Sequence, residues 1–212
     1  SPLYRFRCVQ LAPRHSLLPA SANEGEIDVS QRESGYARKE RDLYETPAWV
    51  TAALRPALPH ALTKVWEPAA GSGQMSRVVA TWGASVVSSD VEPNALAYRA
   101  DFLSSAMHDG CDAIITNPPY ELATEFCEHA LRLMEPAGGV VAMLLRTDFD
   151  HAKSRTHLFR DCPAFAKKLV LMKRICWFVE ANGKPKASPS FNHAWYIWDW
   201  KHDGPPAISY GP

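Results

Sequence analysis

The sequence KVWEPAAGSGQMSRVVATWGASVVSSD, from Lys64 to Asp90, predicts a strand, a glycine-containing loop, a helix and a second strand. KVWE and ASVVSS are short apolar runs of the kind found in buried strands, and the helix between them is expected to end at Gly83. A strand, a crossover helix and a second strand normally lie in one sheet with the two strands parallel. The stretch therefore predicts an α/β fold with a mostly parallel sheet.

The rest of the chain continues this alternation. Strands are predicted at DAIIT (112–116) and GGVVAMLL (138–145), with a helix between them that runs from Leu122 towards Pro136. Shorter helices are predicted after Thr46, with Thr46 as the N-cap, after Pro93, and over HAKSRTHLFRD (151–161). KKLVLMKRICWFV (167–179) and HAWYIWDW (193–200) follow each other without a helix. We therefore expect an antiparallel hairpin at the carboxyl-terminal edge and helices on both faces.

Composition places limits on the class of protein. The 212 residues suit one large domain, and the 23 basic and 23 acidic residues give a net charge of zero, so overall charge does not identify a nucleic-acid partner. The 5 cysteines form no CxxC pair, which argues against a zinc site and a disulfide framework and favours a reducing compartment. No metal, no membrane span and a cytoplasmic location are expected. Residues 1–35 are interpreted as a poorly ordered extension, and residues 36–212 as the folded domain.

The loop AAGSG lies between the first strand and its helix. Gly71 and Gly73 would let the backbone approach a ligand closely, and the amino end of the helix offers N–H groups. Asp90, 19 residues after Gly71, ends the next strand, where an acid can bind ribose hydroxyls. Ser76 stands where GxGxxG has its third glycine, and there is no Gly-Lys-Ser/Thr of a P-loop. An adenosine-type ligand is favoured over a purely structural turn, and a nicotinamide dinucleotide remains open.

The turn NPPY, residues 117–120, follows the strand DAIIT at the end of the sheet where open α/β folds bind ligands. Pro118 and Pro119 have no N–H groups, which leaves the Asn117 side-chain oxygen and the Pro118 carbonyl as acceptors. Two acceptors suit a substrate –NH₂ group and would stabilise the positive charge that its nitrogen gains when it attacks a methyl group. Tyr120 can stack on a flat substrate ring. The turn therefore predicts transfer to an amino nitrogen.

Three further stretches, DLYETP (42–47), SSDVEP (88–93) and ADFL (100–103), accompany EPAAGSG (67–73) and NPPY. In this combination residues 35–200 resemble class I S-adenosylmethionine-dependent methyltransferases, and more narrowly the small phage and prophage N6-adenine DNA methyltransferases. The resemblance implies a Rossmann-like class I methyltransferase fold, with a mostly parallel seven-stranded sheet, and S-adenosylmethionine as cofactor. It also implies methylation of adenine N6 in double- or single-stranded DNA, with the base flipped into the NPPY site.

The resemblance also implies roles for individual residues. The implied catalytic residues are Asn117, Pro118, Pro119 and Tyr120. The implied cofactor-binding residues are Tyr44, Thr46, Pro47, Glu67, Pro68, Ala69, Gly71, Gly73, Asp90, Val91, Asp101, Phe102 and Asn117. Among them, Asp90 would bind the ribose hydroxyls beside Val91, and Asp101 would meet the adenine amino group.

The neutral Asn117 departs from the Asp-Pro-Pro-Tyr of many family members and widens the choice of substrate. RNA and protein-glutamine methyltransferases also resemble the NPPY pattern, so RNA or protein is the alternative substrate. A non-catalytic nucleotide-binding module is a further alternative. A C5-cytosine enzyme is disfavoured because the chain has Cys-Pro at Cys162 and not the required Pro-Cys order.

The sequence from Arg146 to Lys186 holds ten basic and four acidic residues, a local excess of six. This excess predicts a surface that faces phosphates. The candidate substrate-binding residues are Arg146, Lys153, Arg155, Lys184 and Lys186. Phe191, His193 and Trp195 could stack on a substrate or pack in the core, and the core is preferred for Trp195, Ile197 and Trp198. No segment is large enough for a separate target-recognition domain, which predicts short or relaxed sequence specificity.

Overall fold

The computed structural model describes residues 45–92, 96–108, 110–177 and 191–212. In these ranges the α-helices are α1 (Ala48–Leu54), α2 (Gln74–Ala80) and α3 (Ala123–Met134). The strands are β1 (Lys64–Glu67), β2 (Ser85–Asp90), β3 (Tyr98–Arg99), β4 (Ala113–Thr116), β5 (Val140–Arg146), β6 (Phe165–Leu171), β7 (His193–Asp199) and β8 (Ala207–Gly211). Short 3-10 turns cover Arg55–Ala57, Phe102–Ser104, Tyr120–Leu122, Phe149–His151 and Lys153–Leu158.

The strands form one sheet in the order β3-β2-β1-β4-β5-β7-β6-β8. Every pairing among the described strands is parallel except those that β7 makes with β5 and β6. The predicted mostly parallel sheet and the antiparallel pairing of the last two predicted strands are confirmed. The expected number of seven strands is wrong, because the sheet has eight. Six of them match the predicted stretches, and the other two are β3 and β8, which is parallel to β6. The antiparallel pair consequently lies inside the sheet, with β8 at the edge.

Helices cover both faces of the sheet, as expected. On one face Leu54 of α1 and Met75 of α2 share a buried cluster with Trp195 of β7. On the other face Phe126 of α3 packs in a second cluster with Trp198, also of β7. Adjacent residues of a strand point to opposite faces, so a strand covered on both sides must be apolar almost throughout. β7 is buried along its whole length, which confirms the core assignment of Trp195, Ile197 and Trp198.

Two predicted helix features are wrong near the ligand edge of the sheet. Pro47, not Thr46, is the N-cap of α1, and no side chain caps that helix. Residues 93–95 lie outside the described ranges, but Tyr98 and Arg99 of the predicted helix after Pro93 form strand β3. They pair with Ser89 and Asp90, because the exposed edge of β2 offers backbone partners that outweigh local helix preference.

The stretch predicted as a helix over residues 151–161 forms 3-10 turns instead. Ala152 has an extended backbone, with φ −82° and ψ 132°, which separates the turn Phe149–His151 from the turn Lys153–Leu158. The Arg155 guanidinium donates to the Phe149 carbonyl across this break at 2.6 Å. The extended backbone of Ala152 therefore prevents a continuous α-helix over residues 151–161.

Several predictions fall on residues that are not described: the extension 1–35, its boundary with residues 36–212, and the end, 178–179, of the predicted strand stretch 167–179. In the parts of the chain that the structure covers, no helix has both the length and the apolar character needed to cross a bilayer.

Gly139, just before β5, provides a test of the packing between α3 and the sheet. A Cβ at this position would lie 1.8 Å from the Met134 Cε atom and 2.8 Å from the Asp112 carbonyl oxygen. The Met134 side chain can move, but the Asp112 backbone is held by β4. We expect Gly139→Ala to lower the free energy of unfolding by about 1–3 kcal/mol in chemical denaturation.

Gly211→Ala is the matched control, because its Cβ would meet no atom closer than 3.4 Å. It should change the free energy of unfolding by less than about 0.5 kcal/mol. Equal stability of the two variants would contradict the packing described here.

Candidate functional site

Three loops meet at the carboxyl ends of neighbouring parallel strands. β1 pairs with β2 on one side and with β4 on the other. The glycine loop (68–73) follows β1, Asp90 ends β2, and Asn117 follows β4. The predicted glycine loop, acid and NPPY turn therefore lie along one edge of the sheet, where ligands bind in open α/β folds.

The glycine loop is hydrogen-bonded to the end of β2. The Gly71 N–H donates to the Asp90 Oδ2 atom at 2.8 Å, and the Ala70 N–H donates to the Ser89 carbonyl at 3.0 Å. Gly71 and Gly73 have φ of +49° and +77°, values that side chains disfavour. A Cβ on Gly73 would also lie 2.8 Å from the Leu96 Cδ1 atom. Both glycines are thus required by the shape of the loop itself.

Asp90 lies between this loop and exposed apolar surface. Its Oδ1 atom accepts from the Glu92 N–H at 2.9 Å, and the adjacent Val91 side chain is exposed. Burial raises the pKa of the Asp90 carboxyl above its ordinary value, although the N–H groups of Gly71 and Val91 oppose the increase. A partly buried acceptor beside an apolar side chain is the environment that a ribose and its attached base would need.

Glu67, at the end of β1, is buried under the glycine loop. The Ser76 hydroxyl donates to its Oε2 atom, and the hydroxyls of Ser76 and Ser88 lie 2.6 Å apart. Burial raises the pKa of the Glu67 carboxyl to about 8; the Ser76 hydrogen bonds and the Arg77 charge lower it, and the Asp90 charge raises it. Glu67 is therefore mostly protonated at neutral pH, and it is bonded to Ser76, which in turn contacts Ser88.

The NPPY turn is connected to the start of α1. The Asn117 Nδ2 atom donates to the buried Thr46 hydroxyl at 3.2 Å, so the Asn117 oxygen points away from Thr46. The Pro119 carbonyl accepts from the Leu122 N–H at 3.0 Å. The Pro118 carbonyl accepts no hydrogen bond from any residue that the structure describes. Two of the residues implied by the resemblance, Thr46 and Asn117, are thus in direct contact.

Tyr120 contacts a residue from the far end of the sequence. Its hydroxyl lies 3.0 Å from the Nε2 atom of His193, the first residue of β7. Burial lowers the pKa of His193 to about 4; the Arg146 charge also lowers it, and the Phe191 carbonyl and Asp148 oppose the shift. His193 was predicted as one of several stacking or packing residues. Tyr120 and His193 are 73 positions apart in the sequence, so no local sequence pattern could have predicted their contact.

Asp101 and Phe102 have clear structural roles. The Asp101 carboxylate accepts from the Leu103 N–H at 3.1 Å and from the Ser104 hydroxyl at 3.2 Å, and so caps the 3-10 turn. Phe102 is 1% exposed and packs edge-on against Trp66 with ring centroids 5.1 Å apart. Their predicted contacts with a cofactor stay predictions.

Three of the basic residues in the predicted phosphate-facing cluster are engaged by neighbouring acids. The pairs are Arg146 with Asp148, Arg160 with Asp161 and Lys168 with Asp150, each with an N···O distance of 2.7 Å. Arg155 donates to the Phe149 carbonyl, while the Lys153 side chain is exposed. Tyr44, Lys184 and Lys186 fall outside the described ranges. The local charge excess is thus less available than the sequence count suggests, and phosphate binding stays a prediction.

In the described ranges, no group of three or more His, Cys, Asp or Glu side chains could hold a metal ion. The sequence matches no family model and no curated protein.

Solved structures of methyltransferases share the fold. A methyltransferase subunit of a type I restriction-modification system from Streptococcus thermophilus superposes with a TM-score of 0.55 at 12% identity, over 75% of this chain and 45% of its own. A candidate RNA methyltransferase from Pyrococcus horikoshii gives 0.54 at 15% identity, over 74% of this chain and 86% of its own. A modification subunit of a candidate type I restriction enzyme from Vibrio vulnificus gives 0.52 at 14% identity, over 79% of this chain and 46% of its own.

These likenesses establish the fold. The chain has the Rossmann-like fold of class I methyltransferases, with an eighth strand at the carboxyl-terminal edge. It spans less than half the length of the two restriction-system subunits.

Glu67 provides a test of the buried chemistry beneath the glycine loop. Its pKa of about 8 in the folded protein is above the ordinary value, so the folded state holds a proton that the unfolded state has released. Stability from this proton is fully present below the unfolded pKa and is lost as the pH rises through about 8. We expect the free energy of unfolding to fall by up to about 1.4 kcal/mol per pH unit between pH 6.5 and 8.

Glu67→Gln should remove that dependence, because the amide is neutral at every pH and can still accept from Ser76. Denaturation curves at several pH values in this window measure the slope. Glu135→Gln, at an exposed glutamate, is the control and should keep the wild-type slope. A wild-type protein whose stability is constant over the window would contradict a protonated Glu67.

Proposed function

We propose that this protein is an S-adenosylmethionine-dependent methyltransferase that acts on an exocyclic amino nitrogen, with N6 of adenine in DNA as the first candidate. The observation that carries the proposal is the meeting of the glycine loop, Asp90 and the NPPY turn at one sheet edge. Fold alone does not identify an activity, so the proposed activity depends on this group of residues. A cytoplasmic location goes with the proposal.

The residues at the edge fit the proposed cofactor. Gly71 and Gly73 have no side chains, the Gly71 N–H is bonded to the Asp90 carboxylate, and that carboxylate can accept from ribose hydroxyls. Exposed Val91 offers an apolar surface for an adenine ring. When bound, S-adenosylmethionine supplies an electrophilic methyl group on a positively charged sulfur. The loop and Asp90 would hold its adenosine part.

The NPPY turn fits the amino substrate. Thr46 binds the Asn117 Nδ2 atom, which leaves the Asn117 oxygen as an acceptor, and the Pro118 carbonyl is a second acceptor. Both hydrogens of an –NH₂ group can be accepted at once, which turns the nitrogen lone pair towards the methyl donor. The two oxygens stabilise the positive charge that develops on this nitrogen. After transfer its proton is acidic enough to leave to solvent, so no strong base is required.

DNA is the first candidate substrate because the combined motifs resemble N6-adenine DNA methyltransferases. An adenine would have to leave the duplex to reach the NPPY turn. RNA is the second candidate, and a specific observation favours it. This fold accounts for 86% of the candidate RNA methyltransferase from Pyrococcus horikoshii but for 45% of the restriction-system subunit from Streptococcus thermophilus. The ion pairs of Arg146 and Lys168 also reduce the charge available to a long duplex.

Methyl transfer can be tested directly with labelled cofactor. The full chain is incubated with separate panels of double-stranded DNA, single-stranded DNA, RNA and protein, and the modified nucleoside or amino acid is identified by mass. We expect N6-methyladenine in DNA, at short or relaxed target sites. Label in RNA or protein but not in DNA would reject the first candidate. Cofactor binding without transfer to any substrate would leave only a nucleotide-binding module.

Asn117→Ala removes the oxygen proposed to accept from the amino group. We expect kcat to fall by about 10²–10³-fold, as when one preorganised partner of a transition-state charge is lost. The cofactor Kd, measured by calorimetry, should change much less. Full activity in this variant would reject the proposed role of the NPPY turn.

Asp90→Ala is expected to affect cofactor binding more than kcat, the reverse of Asn117→Ala. Loss of its acceptors should raise the cofactor Kd by about tenfold or more, equivalent to roughly 1.4 kcal/mol, while kcat at saturating cofactor changes less. The same two measurements on Asn117→Ala serve as the comparison. An unchanged Kd would show that Asp90 supports the loop and does not bind the cofactor.

A further inference from the structure

His193 is a polar residue in an otherwise apolar, fully buried strand. It is 2% exposed, opens β7, and lies opposite Arg146 of β5. The remaining core residues of the strand, Ala194 to Trp198, pack into the two buried clusters. Burial of an imidazole is unfavourable unless it gains a partner. The partner found here is the hydroxyl of Tyr120.

The contact between Tyr120 and His193 is made at the hydroxyl end of the tyrosine. The hydroxyl lies 3.0 Å from Nε2, and the two ring centroids are 6.0 Å apart with 27° between the planes. His193 therefore holds the far end of the Tyr120 side chain. Trp177 packs edge-on against the His193 ring at 5.2 Å and limits its rotation.

The alternative role of His193, as a proton acceptor for the substrate, fits poorly. The imidazole reaches the turn through the Tyr120 hydroxyl. Its depressed pKa, caused first by burial, makes it a weak base at neutral pH. A neutral imidazole is suited to holding a hydroxyl at all ordinary pH values. The charged and polar groups that shift the pKa of His193 are Arg146, Asp148 and the Phe191 carbonyl.

We propose that His193 is a positioning residue that fixes the Tyr120 ring by its hydroxyl, so that the ring is oriented for a flat substrate before that substrate binds. This inference rests on the proposed function of the NPPY turn. A hydrogen bond at the far end of the ring restricts rotation about its two side-chain bonds. Such preorganisation improves binding because less order has to be gained when the substrate stacks.

Three variants test the proposal through the substrate KM. Tyr120→Phe removes the hydroxyl, His193→Phe keeps a ring against Trp177 but has no nitrogen, and His193→Gln keeps a hydrogen-bonding group. We expect Tyr120→Phe and His193→Phe each to raise the KM for the nucleic acid roughly five- to tenfold, with kcat and the cofactor Kd little changed. The double Phe variant should be no worse than either single variant, because both delete the same bond. His193→Gln should recover most of the loss.

Tyr210→Phe, at an exposed tyrosine of β8, is the control for loss of a tyrosine hydroxyl and should behave as wild type. Multiplicative losses in the double Phe variant, or an equal change in the cofactor Kd, would overturn the positioning role. So would an unchanged KM in His193→Phe.

A measurement without catalysis separates this inference from the proposed function. In protein with ¹⁵N-labelled histidine, the ring nitrogens of His193 should change chemical shift in Tyr120→Phe and stay unchanged in Tyr210→Phe. Unchanged His193 signals in Tyr120→Phe would overturn the contact itself. If the His193 signals change in Tyr120→Phe but the wild-type chain labels no substrate, only the proposed function is overturned.

Discussion

The site depends on the parallel pairing of β1 with both β2 and β4. Because parallel strands end at the same edge, this pairing brings three loops together that are separated by up to fifty positions in the sequence. The bond from Gly71 to Asp90 then sets the glycine loop against β2, and the bond from Asn117 to Thr46 sets the NPPY turn against the start of α1. Neither contact is available to a chain with a different strand order.

Two titratable groups near this edge, Glu67 and His193, are neutral at pH 7. Burial keeps Glu67 protonated and His193 deprotonated near pH 7, so each loses its charge by the same physical cause, with opposite changes in pKa. Pro118 and Pro119 contribute carbonyl oxygens without N–H groups. The resulting site is rich in acceptors and poor in mobile charge. Such a site suits a reaction in which the substrate amino nitrogen becomes positively charged and then loses a proton to solvent.

Sequence patterns predicted the features that depend on local chemistry. The apolar runs, the glycine loop and the acid after β2 each follow from residue type and spacing, and the structure contains all three. Features decided by distant partners were predicted poorly. Tyr98 and Arg99 form a strand because β2 has an open edge, and Thr46 binds Asn117 instead of capping α1. The paired charges of Arg146 and Lys168 likewise depend on how the loop after β5 folds.

The reversed direction of β7 explains how His193 reaches the site. In a parallel sheet the carboxyl edge receives only the ends of strands and the loops that follow them. β7 runs antiparallel between β5 and β6, so its first residue, His193, lies opposite Arg146, the last residue of β5. One antiparallel strand thus presents an amino-terminal residue at the edge where Tyr120 stands. Had β7 been parallel, Asp199 and not His193 would have ended there, and an acidic side chain would have replaced a neutral ring beside the turn.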